Sequence, residues 1–107
     1  VNEYTPDRWV VVEMTTEKET ILKVFGGWYG GFAGSDSWQL NSGIAKVRQK
    51  DQVFEFDGYS GSIYYCHKNS YGLSGYMASV LSGWQKKFAE RPDIKIRVLD
   101  LEEVIVS

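Results

Sequence analysis

A chain of 107 residues with 12 basic and 14 acidic side chains carries a formal net charge of −2. That length suits one domain, residues 1–107, whose folding buries roughly 65% of the extended surface. So balanced a charge supplies no long-range field for phosphate backbones or anionic lipid, and neither nucleic acid nor a membrane is an expected partner. One cysteine forms no internal disulfide, and the sequence contains neither a hydrophobic leader nor a bilayer-length run, which points to a reducing cytoplasm.

The run "RWVVVEMT" (Arg8 to Thr15) is β-branched, is followed by the polar "TEKE", and gives way to "TILKVFGG". The pair reads as a β-hairpin. Val10, Val12 and Met14 alternate with Trp9 and Val11, so the first strand is apolar on both sides and belongs at the centre of a sheet. In "GIAKVRQKDQVFEFDGY" a second hairpin turns near Lys50 and Asp51, with Phe54 and Phe56 sharing a face. "GSIYYCHK" follows as a fifth strand. The next segment changes period: Leu73, Tyr76, Met77, Val80, Leu81, Trp84 and Phe88 fall on one helical face, Ser70 and Ser74 are the candidate caps, and Pro92 closes the segment. "IKIRVL" alternates as a returning half-buried strand, which "VIVS" extends or follows as a short edge. The expected fold is α+β: an antiparallel sheet of about six strands (two hairpins, a fifth strand, then helix, then return strand) with one long helix packed on one face.

Two places invite a functional reading. Between the hairpins, "GGWYGGFAGSDSWQLNSG" spans about seventeen residues of weak periodicity, longer than a compact domain usually leaves structureless. Its glycines permit tight turns, and Trp28, Tyr29, Phe32 and Trp38 supply flat apolar area, with Asp36 adding a carboxylate. These aromatics either fold back as a lid or stack on a partner. The glycine spacing matches neither a dinucleotide fingerprint nor a P-loop.

The second place is "SIYYCHKNSYG", where the chain's single cysteine adjoins its single histidine. Strand alternation sends Cys66 and His67 to opposite faces. That argues against a Cys–His catalytic pair and against zinc. What remains is a polar cluster of His67, Lys68 and Asn69. Along the helix, Gly75, Ser79 and Gly83 form a small-residue line on the flank of the apolar stripe. Interior glycine costs a helix about 1 kcal/mol relative to alanine, so the line reads as a solvated face or as a groove for another chain, rimmed by Lys86 and Glu90.

The phrases "GSDSWQLNSGI", "GYSGSIYYCHKNSYG" and "DRWVVVEMT...TILKVFGGW" resemble small accessory proteins of unknown function carried by tailed, T-even-like bacteriophages. The resemblance implies synthesis in an infected bacterial cytoplasm and a part in host takeover or evasion of defence. No functional residues transfer with it. The expected function is non-enzymatic: an interaction protein that binds a host or defence protein, with no cofactor and no metal, and with a homo-oligomer as a further arrangement. A small-ligand or nucleotide-signal binder is the alternative, its base stacked on the glycine and tryptophan loop and its phosphate held by Lys46, Arg48 or Lys68. A small enzyme with His67 as general base, helped by Lys68 or Tyr71, is the third reading.

Overall fold

The computed structural model describes residues 2–30 and 34–106. In chain order its elements are β1 (Glu3–Tyr4), β2 (Arg8–Thr15), β3 (Thr20–Trp28), β4 (Ser37–Leu40), β5 (Ile44–Lys50), β6 (Val53–Gly58), β7 (Ile63–His67), a 3-10 turn (Lys68–Ser70), α1 (Gly75–Phe88), β8 (Lys95–Val98) and α2 (Leu101–Val106). The chain is α+β, but the expected single sheet of about six strands is instead two sheets of four. One runs β1-β7-β6-β5 and the other β4-β3-β2-β8. All pairings are antiparallel except β1 with β7.

The division follows from where the apolar side chains stand. Phe54, Phe56, Tyr64 and Cys66 line one face of β6 and β7, and β2 is apolar on both faces, so one helix cannot cover everything. Packing the first sheet on the second buries Trp9, Val11 and Val24 against those four residues. The opposite face of the second sheet buries Val10, Val12 and Phe25 under Met77 and Leu81 of α1. The result is three layers with β2 in the middle one, and each fully buried apolar side chain there contributes about 1.5–3 kcal/mol.

Both hairpins form in the expected places. Asp51 takes the positive φ of 56° that the tight turn before β6 requires. Ser74, one of the two candidate caps, accepts the Met77 amide at 3.2 Å and starts α1. Along the expected stripe of α1, Met77 and Leu81 are buried and Leu73, Val80 and Trp84 pack half-buried on the same core, whereas Tyr76 stands in solvent. The C-terminal segment is not an edge strand. Asp100 donates its amide to Glu103 Oε1 at 2.9 Å and its carbonyl accepts the Glu103 amide at the same distance, so "DLEE" nucleates α2. Leu99 and Val104 then join the core between the sheets.

The sheets meet at a corner. Tyr71 and Gly72, just beyond β7, lie beside Trp9 of β2, and the Gly72 amide reaches the Trp9 carbonyl at 2.8 Å. Between that point and β8 the Tyr71 hydroxyl takes the place of a strand partner. It accepts the Val11 amide at 3.1 Å and donates to the Leu99 carbonyl at 2.6 Å.

Candidate functional site

The long loop expected between the hairpins is partly strand: Gly26, Gly27 and Trp28 end β3, and Ser37–Leu40 form β4. Position 27 is a glycine within the strand because α1 lies directly on its backbone: a Cβ there would sit 2.7 Å from Met77 Cγ. The connecting turn closes through Asp36, whose Oδ1 accepts the Gly30 amide at 2.9 Å. The carboxylate is therefore used inside the turn. Phe32 lies outside the described residues.

The tryptophans at the two ends of this segment do not form one surface. Trp28 turns toward the first sheet, its ring edge-on to Tyr4 at 6.2 Å and its Nε1–H donating to the Thr5 carbonyl at 3.1 Å. Trp38 lies opposite Gly27 and so turns to the α1 side. There it meets Phe25 at 5.8 Å and Trp84 at 5.1 Å, while Phe25 and Trp84 are 4.9 Å apart. Trp38 is 39% exposed and Tyr76 41%. Tyr76, Val80 and Trp84 follow at four-residue spacing along one flank of α1, and Trp84 of that flank meets Trp38 of β4. An aromatic face thus runs from the edge strand β4 onto the helix. Tyr29 is exposed beyond the end of β3, with its amide held by Asp7 Oδ2 at 2.9 Å.

Sequence spacing does not mark Tyr76 as a surface residue, because it places it in the core stripe of the helix; Trp84, in the same stripe, is half-buried and packs on that core. The available signal is the breadth of that stripe, which exceeds what one sheet face covers.

The polar cluster after β7 is spread apart. His67 is exposed, and its carbonyl accepts the indole N–H of the buried Trp9 at 2.7 Å. The Lys68 ammonium lies over the Phe54 ring at 5.4 Å, and Asn69 faces solvent in the 3-10 turn. Cys66 is buried on the opposite side, where desolvation pushes its thiol up and leaves it a poor nucleophile at neutral pH. The Tyr64 hydroxyl is also buried, and no described residue closes a hydrogen bond to it. Desolvation, then the charges of Tyr4 and Cys66, push it up to about 12, partly offset by the approach of Gln39.

The cations suggested for a phosphate stand elsewhere. Arg48 forms a bidentate pair with Asp57 at 2.7 and 2.8 Å and also approaches Glu55 at 3.5 Å. These residues occupy the face of the first sheet that looks away from the second, across the molecule from Trp38. A ligand stacked on Trp38 is therefore out of reach of Arg48. Among the described residues, no three or more His, Cys, Asp or Glu side chains gather in a metal-binding group. Gly75, Ser79 and Gly83 are exposed, and a Cβ at either glycine would meet open space. No described residue uses the close approach they permit. Among the described residues, no helix is long and apolar enough to cross a membrane. No protein-family model, curated protein or solved structure matches the chain.

Proposed function

We propose that the chain is a non-enzymatic interaction protein that binds another protein through the aromatic face of Trp38, Trp84 and Tyr76. The observation that carries this reading is the Trp38–Trp84 pair, held edge to face at 5.1 Å with Trp38 still 39% exposed on a short edge strand. Tryptophan and tyrosine anchors fixed by a rigid scaffold are the residues on which protein interfaces concentrate their binding energy. The nucleotide-signal alternative loses support from the separation of Arg48 and Trp38. An enzyme using His67 loses support from the single polar turn around it, since acid–base chemistry needs several convergent groups. A host or defence protein is the partner consistent with the resemblance to phage accessory proteins.

The test is capture from bacterial lysate with the purified chain, followed by reconstitution with the identified partner and native mass spectrometry of the same preparation. Trp38→Ala should weaken the reconstituted complex by about 2 kcal/mol, roughly thirtyfold, with the fold retained. Equal affinity of Trp38→Ala and parent, or retention of a small mass in place of a protein, would overturn the reading.

A further inference from the structure

The two sheets leave four edges, and they are not alike. β1 is two residues long. β5 carries Lys46, Arg48 and Lys50, and β8 carries Lys95 and Arg97. Such edge cations, like a very short edge, oppose pairing with another chain. β4, Ser37–Leu40, carries no charge at all. Its flanking residues are occupied within the chain: Asp36 holds the Gly30 amide, and Asn41 Oδ1 accepts the Val24 and Gly43 amides at 2.9 and 3.1 Å.

The backbone groups that β4 offers follow from its register. The Asn41 amide donates to the Val24 carbonyl at 3.0 Å, so Asn41 faces β3. Antiparallel alternation then turns Gln39 toward β3, and turns the N–H and C=O of Trp38 and Leu40 outward. No strand pairs with that side among the described residues.

We propose that β4 pairs antiparallel with β4 of a second copy, joining the four-stranded sheets of the two copies into one of eight strands. A two-fold axis perpendicular to the sheet keeps faces matched, so a residue on the α1 side meets only residues on the α1 side. Centring the axis on Gln39 sets Trp38 opposite the partner's Leu40 and Gln39 opposite its own copy. Apolar meets apolar, amide meets amide, and the outward N–H groups of Trp38 and Leu40 in both copies gain acceptors. In this arrangement the lysines of β5 and β8, Lys46, Lys50 and Lys95, would meet like charge from a second copy, whereas Arg48 and Arg97 are held by carboxylates of their own chain. The inference deepens the interaction reading and rests on it for its purpose: both α1 helices lie on one side of the joined sheet, with the two aromatic faces adjoining as one surface.

Self-association is measured on the protein alone, so its failure is separable from failure of partner binding. Light scattering of the parent should show the molar mass rising from 12.2 kDa toward twice that value with concentration. Amide exchange should slow at Trp38 and Leu40 over the same range. Gln39→Cys should cross-link across the axis under mild oxidation, because a directly opposed non-hydrogen-bonded pair has Cα atoms about 4.5 Å apart, within disulfide range. Ser37→Cys, set opposite the partner's Asn41, should not. Trp38→Lys, which gives β4 the charged pattern of β5 and β8, should restore the monomer. A mass fixed at 12.2 kDa up to the solubility limit overturns the proposal. So does a dimer that fails to cross-link through Gln39→Cys or leaves the two amides unprotected, whether or not Trp38→Lys folds.

Discussion

Replacing Tyr71 with phenylalanine isolates the hydroxyl that stands in for a strand at the corner between the sheets. The ring would keep its edge-on contact with Trp9, at 4.7 Å between centroids and 84° between planes. What is lost is the acceptor for the Val11 amide at 3.1 Å and the donor to the Leu99 carbonyl at 2.6 Å. Val11 and Leu99 are 1% and 4% exposed, so water does not readily replace either partner. Leaving one buried backbone group unpaired costs about 1–3 kcal/mol, and two such groups set the expected loss at about 2–6 kcal/mol. Against a total stability of about 5–15 kcal/mol for a domain, that is a large fraction. The assay is urea unfolding followed by tryptophan fluorescence: the midpoint should fall with the slope unchanged, and the melting temperature should drop by about 4–8 °C per kcal/mol. A loss below about 0.5 kcal/mol, the range of an ordinary surface change, would refute the assignment of Tyr71 as a buried bridge.

Two glycine-to-alanine changes should move stability in opposite directions. Gly83→Ala meets open space on an exposed helix face and should stabilise by about 1 kcal/mol, whereas Gly27→Ala drives a methyl group to 2.7 Å from Met77 Cγ and should destabilise. Thermal melts of both variants check this, and the same sign for both would contradict the packing of α1 on β3. Alkaline pH should also unfold the protein. The unfolded chain releases the Cys66 proton near 9.0 and the Tyr64 proton near 10.0, while burial holds both protons on the folded chain. Stability from these groups is complete below pH 9 and falls as pH rises toward the folded values, about 12 for Tyr64. Cys66→Ala should flatten the first part of that fall, between pH 9 and 10, in denaturant midpoints measured against pH; an unaltered slope would mean that the thiol is not shielded from water.

The elements governed by local pattern are legible in the sequence itself. The two hairpins, the strand at Ile63–His67 and the amphipathic helix each carry their periodicity within a few neighbouring residues, as does the Ser74 cap. The opposite orientation of Cys66 and His67 follows from the two-residue strand repeat alone, and one side chain is buried and the other exposed as that repeat requires. α2 is legible too, since "DLEE" is a capping signature, but the β-branched "VIVS" beside it points toward a strand. Tertiary packing decides the rest. Whether apolar strands form one sheet or two depends on how many apolar faces need cover, a property of the assembled strands and not of any one of them. That Gly26 and Gly27 must be glycine within β3 is set by Pro6 and Met77, which press on them from elsewhere in the chain. The same long-range pairing divides the aromatic segment, sending Trp28 toward Tyr4 and Trp38 toward Trp84. Spacing along the chain assigns each tryptophan a face within its own strand; only the register of β4 on β3 fixes which neighbours that face meets.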